Sequence, residues 1–346
     1  MALTKRGKIA AGAGGAVVGL VALVSVLALT GTGPKALQDI GNKITGHDSA
    51  PPTCPLTGVQ CAHPPNRPAL AIKVENLPEA RPQAGLDKAD IVYEEPVEGG
   101  ITRFIVLFQS KNATRVGPVR SARLTDSTIL PQYGHPAFGY AGGVPSVMHA
   151  VDAAGVKDEN YNVAVSAYTR DPNRSAPHNL YTTTAGLYKA AHAHGGMPSP
   201  VFTYDRSVPH PSRKVGFAHL DFSYSSDVYW RWNAKKQVWL RFHGTVPHML
   251  EDNVQVSAKN VVVQSVKIIY PGQKDVLGTP SPEAVTTGAG KAWVFRNGRM
   301  IVGKWVRAKT SDITQFETKS GQVIPLDPGN TWVELFPNNL KVEFGK

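Results

Sequence analysis

The chain has 346 residues, 42% of them apolar and 18% charged, which excludes a disordered polymer and leaves room for two globular domains. Its 37 Lys and Arg against 26 Asp and Glu give a formal net charge of +11. That balance favours anionic partners, namely nucleic acid, acidic lipid head groups or phosphate-rich polymers, and the compartment decides among them.

Residues 1–8 carry Lys5, Arg6 and Lys8, and residues 9–30 follow without a charge as IAAGAGGAVVGLVALVSVLALT. At about 1.5 Å per residue, this run is long enough to cross a bilayer. The flanking cations stay inside, so the rest of the chain lies outside. The expected order is a cytoplasmic tip (1–8), then a single transmembrane signal-anchor (9–30) that fixes an extracytoplasmic body to the cell membrane. A cleaved signal peptide is the rival, although no clean A-x-A site follows the run. Outside the cell, nucleic acid drops out as a partner, and the positive charge points to envelope polymers and lipids.

Residues 31–66 form a polar, Pro-rich linker. Near its end, CPLTGVQC carries the chain's two cysteines, Cys54 and Cys61. An even number in an exported chain predicts a disulfide. Their spacing fits no common zinc pattern, and neither a metal nor another cofactor is expected.

From residue 67 to 208 the pattern predicts an α/β (or α+β) domain. ALAIKVEN, ADIVYEEPV and ITRFIVLFQS read as strands, the third buried on both faces. Ser121 is expected to cap a helix through SARLTDSTILPQY. FGYAG reads as a strand, VPSVMHAVDAAG as a helix between Pro145 and Gly155, and TTTAGLYKAAHAHGG as a helix stopped by Gly195 and Gly196. VFTYD is expected to be the domain's last strand. Residues 209–346 read as a mainly antiparallel β domain without helices. Its signals are a hairpin turning at NAKK, the β-branched strand NVVVQSVKIIY, a hairpin turning at Asn297-Gly298, and a closing strand TWVELFP.

Residues 99–123, GGITRFIVLFQSKNATRVGPVRSAR, hold Arg103, Lys111, Arg115, Arg120 and Arg123 and no acid. A strand, a Gly-Pro bend and a helix start would aim free N–H groups at an anion, and guanidinium forks suit phosphate or carboxylate. The opposing reading pairs these arginines internally with Glu94, Glu95, Glu98 and Asp126. A second candidate is the loop YTRDPNRSAPHNLY, with Arg170, Arg174, His178 and Asn179. Glu94 and Glu95 are adjacent on a strand and point to opposite faces. Known nucleophile, metalloprotease, Walker and dinucleotide motifs do not occur, and no catalytic residue can be named.

RPALAIKVENLPEARPQAGLDKADIVYEEPVEGGITRF, VGPVRSAR and HNLYT resemble the N-terminal domain of the YerB-like family of bacterial lipoproteins and membrane-anchored proteins, a domain of unknown function. NVVVQ, GAGKAWVFRNGRMIVGKWVRA and PGNTWVELFP resemble that family's C-terminal domain. The resemblance implies an envelope protein and no particular reaction. Lipid-modified members carry a Cys directly after the signal, whereas Cys54 lies well beyond the apolar run. The expected function is therefore binding of an anionic envelope polymer or lipid-linked precursor at the Arg-rich turn. One alternative is an enzyme, a phosphotransferase or hydrolase of envelope glycopolymers, with Asp90, Arg103 and Arg120 near a metal. The other is a scaffold that recruits peptidoglycan-synthesis proteins.

Overall fold

The structure, a computed structural model, describes residues 51–193 and 196–346. The proposed anchor at 9–30 lies outside the described residues, as do the cytoplasmic tip, most of the linker and Gly195. No helix among the described residues is long and apolar enough to cross a membrane.

The first half supplies strands β1 (Leu70–Glu75), β2 (Ile91–Pro96) and β3 (Thr102–Phe108), then helix α1 (Leu124–Ile129) and strand β4 (Ala137–Gly139). Helix α2 (Pro145–Ala153), strands β5 (Lys157–Asp158), β6 (Tyr168–Arg170) and β7 (Leu180–Thr182), and helix α3 (Thr184–Ala190) complete it. The second half is all strand: β8 (Arg213–Lys214), β9 (Phe217–Ser223), β10 (Ser226–Asn233), β11 (Val238–His243), β12 (Val246–Pro247), β13 (Ser257–Ala258) and β14 (Asn260–Val266). It continues with β15 (Ile268–Ile269), β16 (Glu283–Ala284), β17 (Gly288–Arg296), β18 (Arg299–Arg307), β19 (Gln315–Glu317), β20 (Thr331–Pro337) and β21 (Val342–Gly345).

One 11-stranded sheet runs through both halves in the order β19-β18-β17-β14-β20-β2-β3-β1-β4-β5, with β8 on β18. Strand β20 lies parallel to β14 on one side and parallel to β2 on the other, so the two halves meet within the sheet. The boundary at 208/209 is therefore a change of texture along the chain and not a gap between two cores. A second sheet, β12-β11-β10-β9-β21 with β13 on β11, is antiparallel throughout.

Strand alternation builds the two cores. Phe104, Val106 and Phe108 face the second sheet, where they join its Leu220, Trp230 and Trp239, together with Trp332 of β20. Ile105 and Leu107 face the opposite side and pack with Ile129, Val147 and Val151 of α1 and α2. β3 is thus buried on both faces, as its uninterrupted apolar run predicts. Pro145 opens α2, and the Thr183 side chain accepts from Gly186 N at 2.8 Å to cap α3. Asn297 and Gly298 both take positive φ, 50° and 64°, the geometry that lets two twisted strands reverse in two residues.

Three expectations are corrected. α1 starts at Leu124 with Arg123 as its N-cap, so Ser121 does not cap it. VFTYD forms no strand; Val201 and Phe202 fill the core, and only Tyr204 bridges to Leu326. The packed body begins inside the expected linker. The Cys54–Cys61 disulfide is formed, Leu56 is fully buried, and the Tyr204 hydroxyl donates to the Leu56 carbonyl at 2.6 Å.

Candidate functional site

Gly117 turns the chain after β3 at φ +150°, where a Cβ would come within 2.8 Å of the Leu180 carbonyl oxygen. Residues 118–123 then run extended beside β1. Arg120 N donates to the Lys73 carbonyl and Ala141 N to the Arg120 carbonyl, both at 2.9 Å. In the sheet, Arg103 stands opposite Glu75 of β1 and Glu95 of β2, so the three residues share a face.

Arg103, Arg120 and Arg123 line one cavity of about 390 Å³, together with Glu98, Asp275 and the exposed pair Val276 and Leu277. Arg120 also borders a smaller depression of about 200 Å³ that contains Arg170. Arg123 is neutralised: its Nη2 and Nε lie 2.6 and 3.0 Å from Glu98 Oε2. Burial works against Glu98's ionised form, but the Arg123 hydrogen bonds and charge hold its pKa below the usual value. Arg120 Nε reaches the buried Glu75 carboxylate at 2.9 Å. Arg103 differs. Its Nη1 donates to the Ser121 carbonyl at 2.9 Å, its Nε is buried without a partner, and no carboxylate of the described residues lies within 4.0 Å. Burial, reinforced by Arg123, pushes its pKa down to about 10, and the guanidinium stays charged.

The helix start itself offers nothing to an anion. α1 has six residues, and Asp126 Oδ2 already accepts the Arg123 backbone N–H at 2.6 Å. The ion-pair assignment also changes. Glu94, Glu95 and Asp126 form no ion pair with the guanidinium groups of the turn: Lys73 holds Glu95 and, at 2.7 Å, Asp126, while Arg241 holds Glu94 at 2.7 Å. Asp90 accepts the Gln109 and Ser110 backbone N–H groups at 2.6 and 2.8 Å, so it anchors a loop and is absent from the cavity.

The second candidate loop divides. Arg115 pairs with Asp171 at 2.5 Å and Glu251 at 2.8 Å, and its guanidinium lies 3.5 Å over the Tyr181 ring. Arg174 reaches Glu251 at 3.2 Å and the Pro82 carbonyl at 3.0 Å. These two arginines are saturated. His178 Nδ1 lies 2.9 Å from Glu75 Oε2, and buried Asn179 accepts from Arg170 at 2.8 Å while donating to the Asp171 and Arg174 carbonyls. Arg103, Arg120, Arg123 and Arg170 are therefore brought together, and Arg115 and Arg174 are not. Sequence reasoning missed Glu75 and the Val276–Leu277 tip. The alternation Lys73, Glu75 in IKVEN was the available signal for the former.

Two buried triads back the site, one on each face of the sheet. Each combines one cation with two carboxylates: Lys73 with Glu95 and Asp126, and Arg241 with Glu94 and Glu334. Two acids against one cation favour holding a proton. Burial, with Asp126 adding and Lys73 opposing, pushes Glu95 up to about 7. A carboxyl group whose pKa rises on folding stabilises the fold below its unfolded pKa and loses that contribution as pH climbs through the folded value. Urea midpoints should therefore fall between about pH 4.5 and 7, and Glu95→Gln should remove that part of the fall. Parallel curves for the two proteins would contradict the assignment.

With this geometry in place, the family is clear. The model described as "Protein of unknown function (DUF3048) N-terminal domain" matches residues 56–197, and the corresponding C-terminal domain matches residues 218–333. The chain belongs to this family. Among its relatives, the "Putative lipoprotein YerB" of Bacillus subtilis (strain 168) is 27% identical over 296 residues, 82% of this chain and 86% of that protein. The crystal structure of Bacillus subtilis YerB superposes with a TM-score of 0.75 at 26% identity, covering 85% of this chain and all of that one.

Proposed function

We propose that this protein is a membrane-anchored, extracytoplasmic envelope protein that recognises the phosphate-bearing head of a lipid-linked precursor in the Arg103–Arg120–Arg123 cavity. The observation that carries the reading is Arg103, a buried guanidinium with an unpartnered Nε and no carboxylate of the described residues within 4.0 Å, opening on a cavity that two further arginines share. Leaving such a charge without a counter-ion is costly, and a bound anion would relieve that cost. Val276 and Leu277 lie at 95% and 87% exposure beside the same cavity, in place to meet an apolar tail next to an anionic head.

Location rests on the relative's lipoprotein name and on residues 9–30. Both cysteines of this chain are joined to each other, which leaves neither to carry a lipid. The apolar segment therefore takes over as the anchor, as a single pass with the body outside.

The test is binding of inorganic pyrophosphate and of a polyprenyl pyrophosphate to the full chain in neutral detergent. Arg120→Gln should weaken both about tenfold, roughly 1.4 kcal/mol, and Leu277→Ser only the polyprenyl form. Equal affinities for wild type and Arg120→Gln would remove the reading. A scaffold reading is favoured by the saturation of Arg115, Arg123 and Arg174. It predicts capture of peptidoglycan-synthesis proteins by the full chain without any dependence on Arg103 or Arg120. An enzyme of envelope glycopolymers has less support, since Asp90 is engaged by backbone amides.

A further inference from the structure

Away from that cavity, the second half carries two larger depressions that adjoin. One, of about 720 Å³, is bordered by Lys267, Lys291, Lys341, Trp293 and the Asn338–Asn339 pair. The other, of about 630 Å³, is bordered by Arg213, Lys319 and Ser320. They share Val302 and Phe344, so the two adjoin as one groove over β17 and β18 of the large sheet and β21.

Among the described residues no carboxylate borders either depression. Of the five cations, Lys341 alone has an acid of the described residues within 4.0 Å, Glu343 at 3.3 Å. Lys267, Lys291, Lys319 and Arg213 are exposed and meet none among the described residues. The Arg103 cavity is different in kind, because Glu98 and Asp275 border it. Around the two depressions the cations come from separate segments of the chain. The Lys291 ammonium sits 4.5 Å from the Trp293 ring and the Arg213 guanidinium 5.6 Å from the Phe344 ring, so the aromatic surfaces lie beside the cations. Among the described residues the side-chain amides of Asn338 and Asn339 find no hydrogen-bond partner, which leaves donors and acceptors at the groove's wall.

We infer that this groove binds a linear anionic glycan. Spaced cations meet its charged groups and the amides meet hydroxyls, with the half-buried Phe344 ring beside them. A single phosphate head would leave most of the groove empty, whereas an extended polymer would reach the cations at both ends. The inference stands whether or not the Arg103 cavity binds pyrophosphate, since no residue is common to the two sites.

The experiment titrates the full chain in neutral detergent with polygalacturonate, with poly(glycerol phosphate) and with uncharged dextran. The anionic polymers should bind and dextran should not; a preference between the first two identifies carboxylate or phosphate as the charged group. Lys267→Gln/Lys291→Gln should weaken binding about tenfold, and the slope of log affinity against log salt should become shallower by about one per lysine removed. Lys235→Gln/Lys236→Gln, an equal loss of charge on the β10–β11 turn outside the groove, should leave affinity unchanged. Equal weakening by both double variants, no effect of the groove variant, or comparable binding of dextran would each overturn the inference.

Discussion

Residues 52–208 expressed alone should fail to fold, although they contain an entire family domain. Strand β20 is the parallel neighbour of β2, from Ile91 opposite Thr331 to Glu94 opposite Glu334. Without it, β2 becomes an unprotected sheet edge with apolar residues on both faces. The same cut removes Trp230, Trp239, Trp332 and Phe336, which complete the core under Phe104 and Phe108. The expected result is a chain without near-ultraviolet circular dichroism or a cooperative urea transition, restored by co-expression with residues 209–346. A cooperative transition for residues 52–208 alone would show that the halves are independent after all.

The second large effect concerns Arg241, fully buried between the sheets. Its Nη2 lies 2.7 Å from Glu94 and its Nη1 2.8 Å from His248 Nδ1. Because Arg241 donates to Nδ1, His248 carries its proton on Nε2 and donates to Gln83 Oε1 at 2.8 Å. Burial, followed by the Arg241 charge, holds His248 well below its usual pKa, which agrees with a neutral ring. Glu334 accepts from Trp230 Nε1 at 2.7 Å, and burial beside Glu94 raises its pKa far above the carboxylate range. The triad thus holds one cation, one anion and one proton. Arg241→Met strands Glu94 in the core and should cost about 3–5 kcal/mol in urea unfolding. Adding Glu94→Gln and Glu334→Gln should recover much of the loss, because the uncompensated charge is gone. A loss below about 1 kcal/mol for Arg241→Met would mean that the pair does not carry the proposed charge.

Local signals read well, and long-range ones did not. Alternation in IVYEEP and TRFIVLF located β2 and β3, and Asn297-Gly298 located the β17–β18 turn. TWVELFP read as the closing strand of the β domain, but nothing local to it could state that its neighbours are β14 and β2, about 70 and 240 residues away. VFTYD had the composition of a strand without a sheet edge to join, and composition alone cannot see that.

At the site, the opposed faces of Glu94 and Glu95 followed from strand geometry. Their partners Lys73 and Arg241 did not, because neighbours across a sheet and between sheets depend on register and packing. The arginines of one basic stretch were likewise divided between a cavity and a saturated surface cluster by folding. Only residues from distant segments, Glu75, Asp171 and Glu251, decide which is which.

The ring closed by Cys54 and Cys61 also has a mechanical consequence. Tension arriving from the N-terminal side would cross from residue 54 to residue 61 through the sulfur bridge and continue toward β1, bypassing residues 55–60. Those residues hold the body through the buried Leu56 and through Gly329 N, which donates to the Thr57 carbonyl at 2.8 Å just before β20. A pull that would peel an open chain off this seam therefore leaves the oxidised ring's grip unloaded.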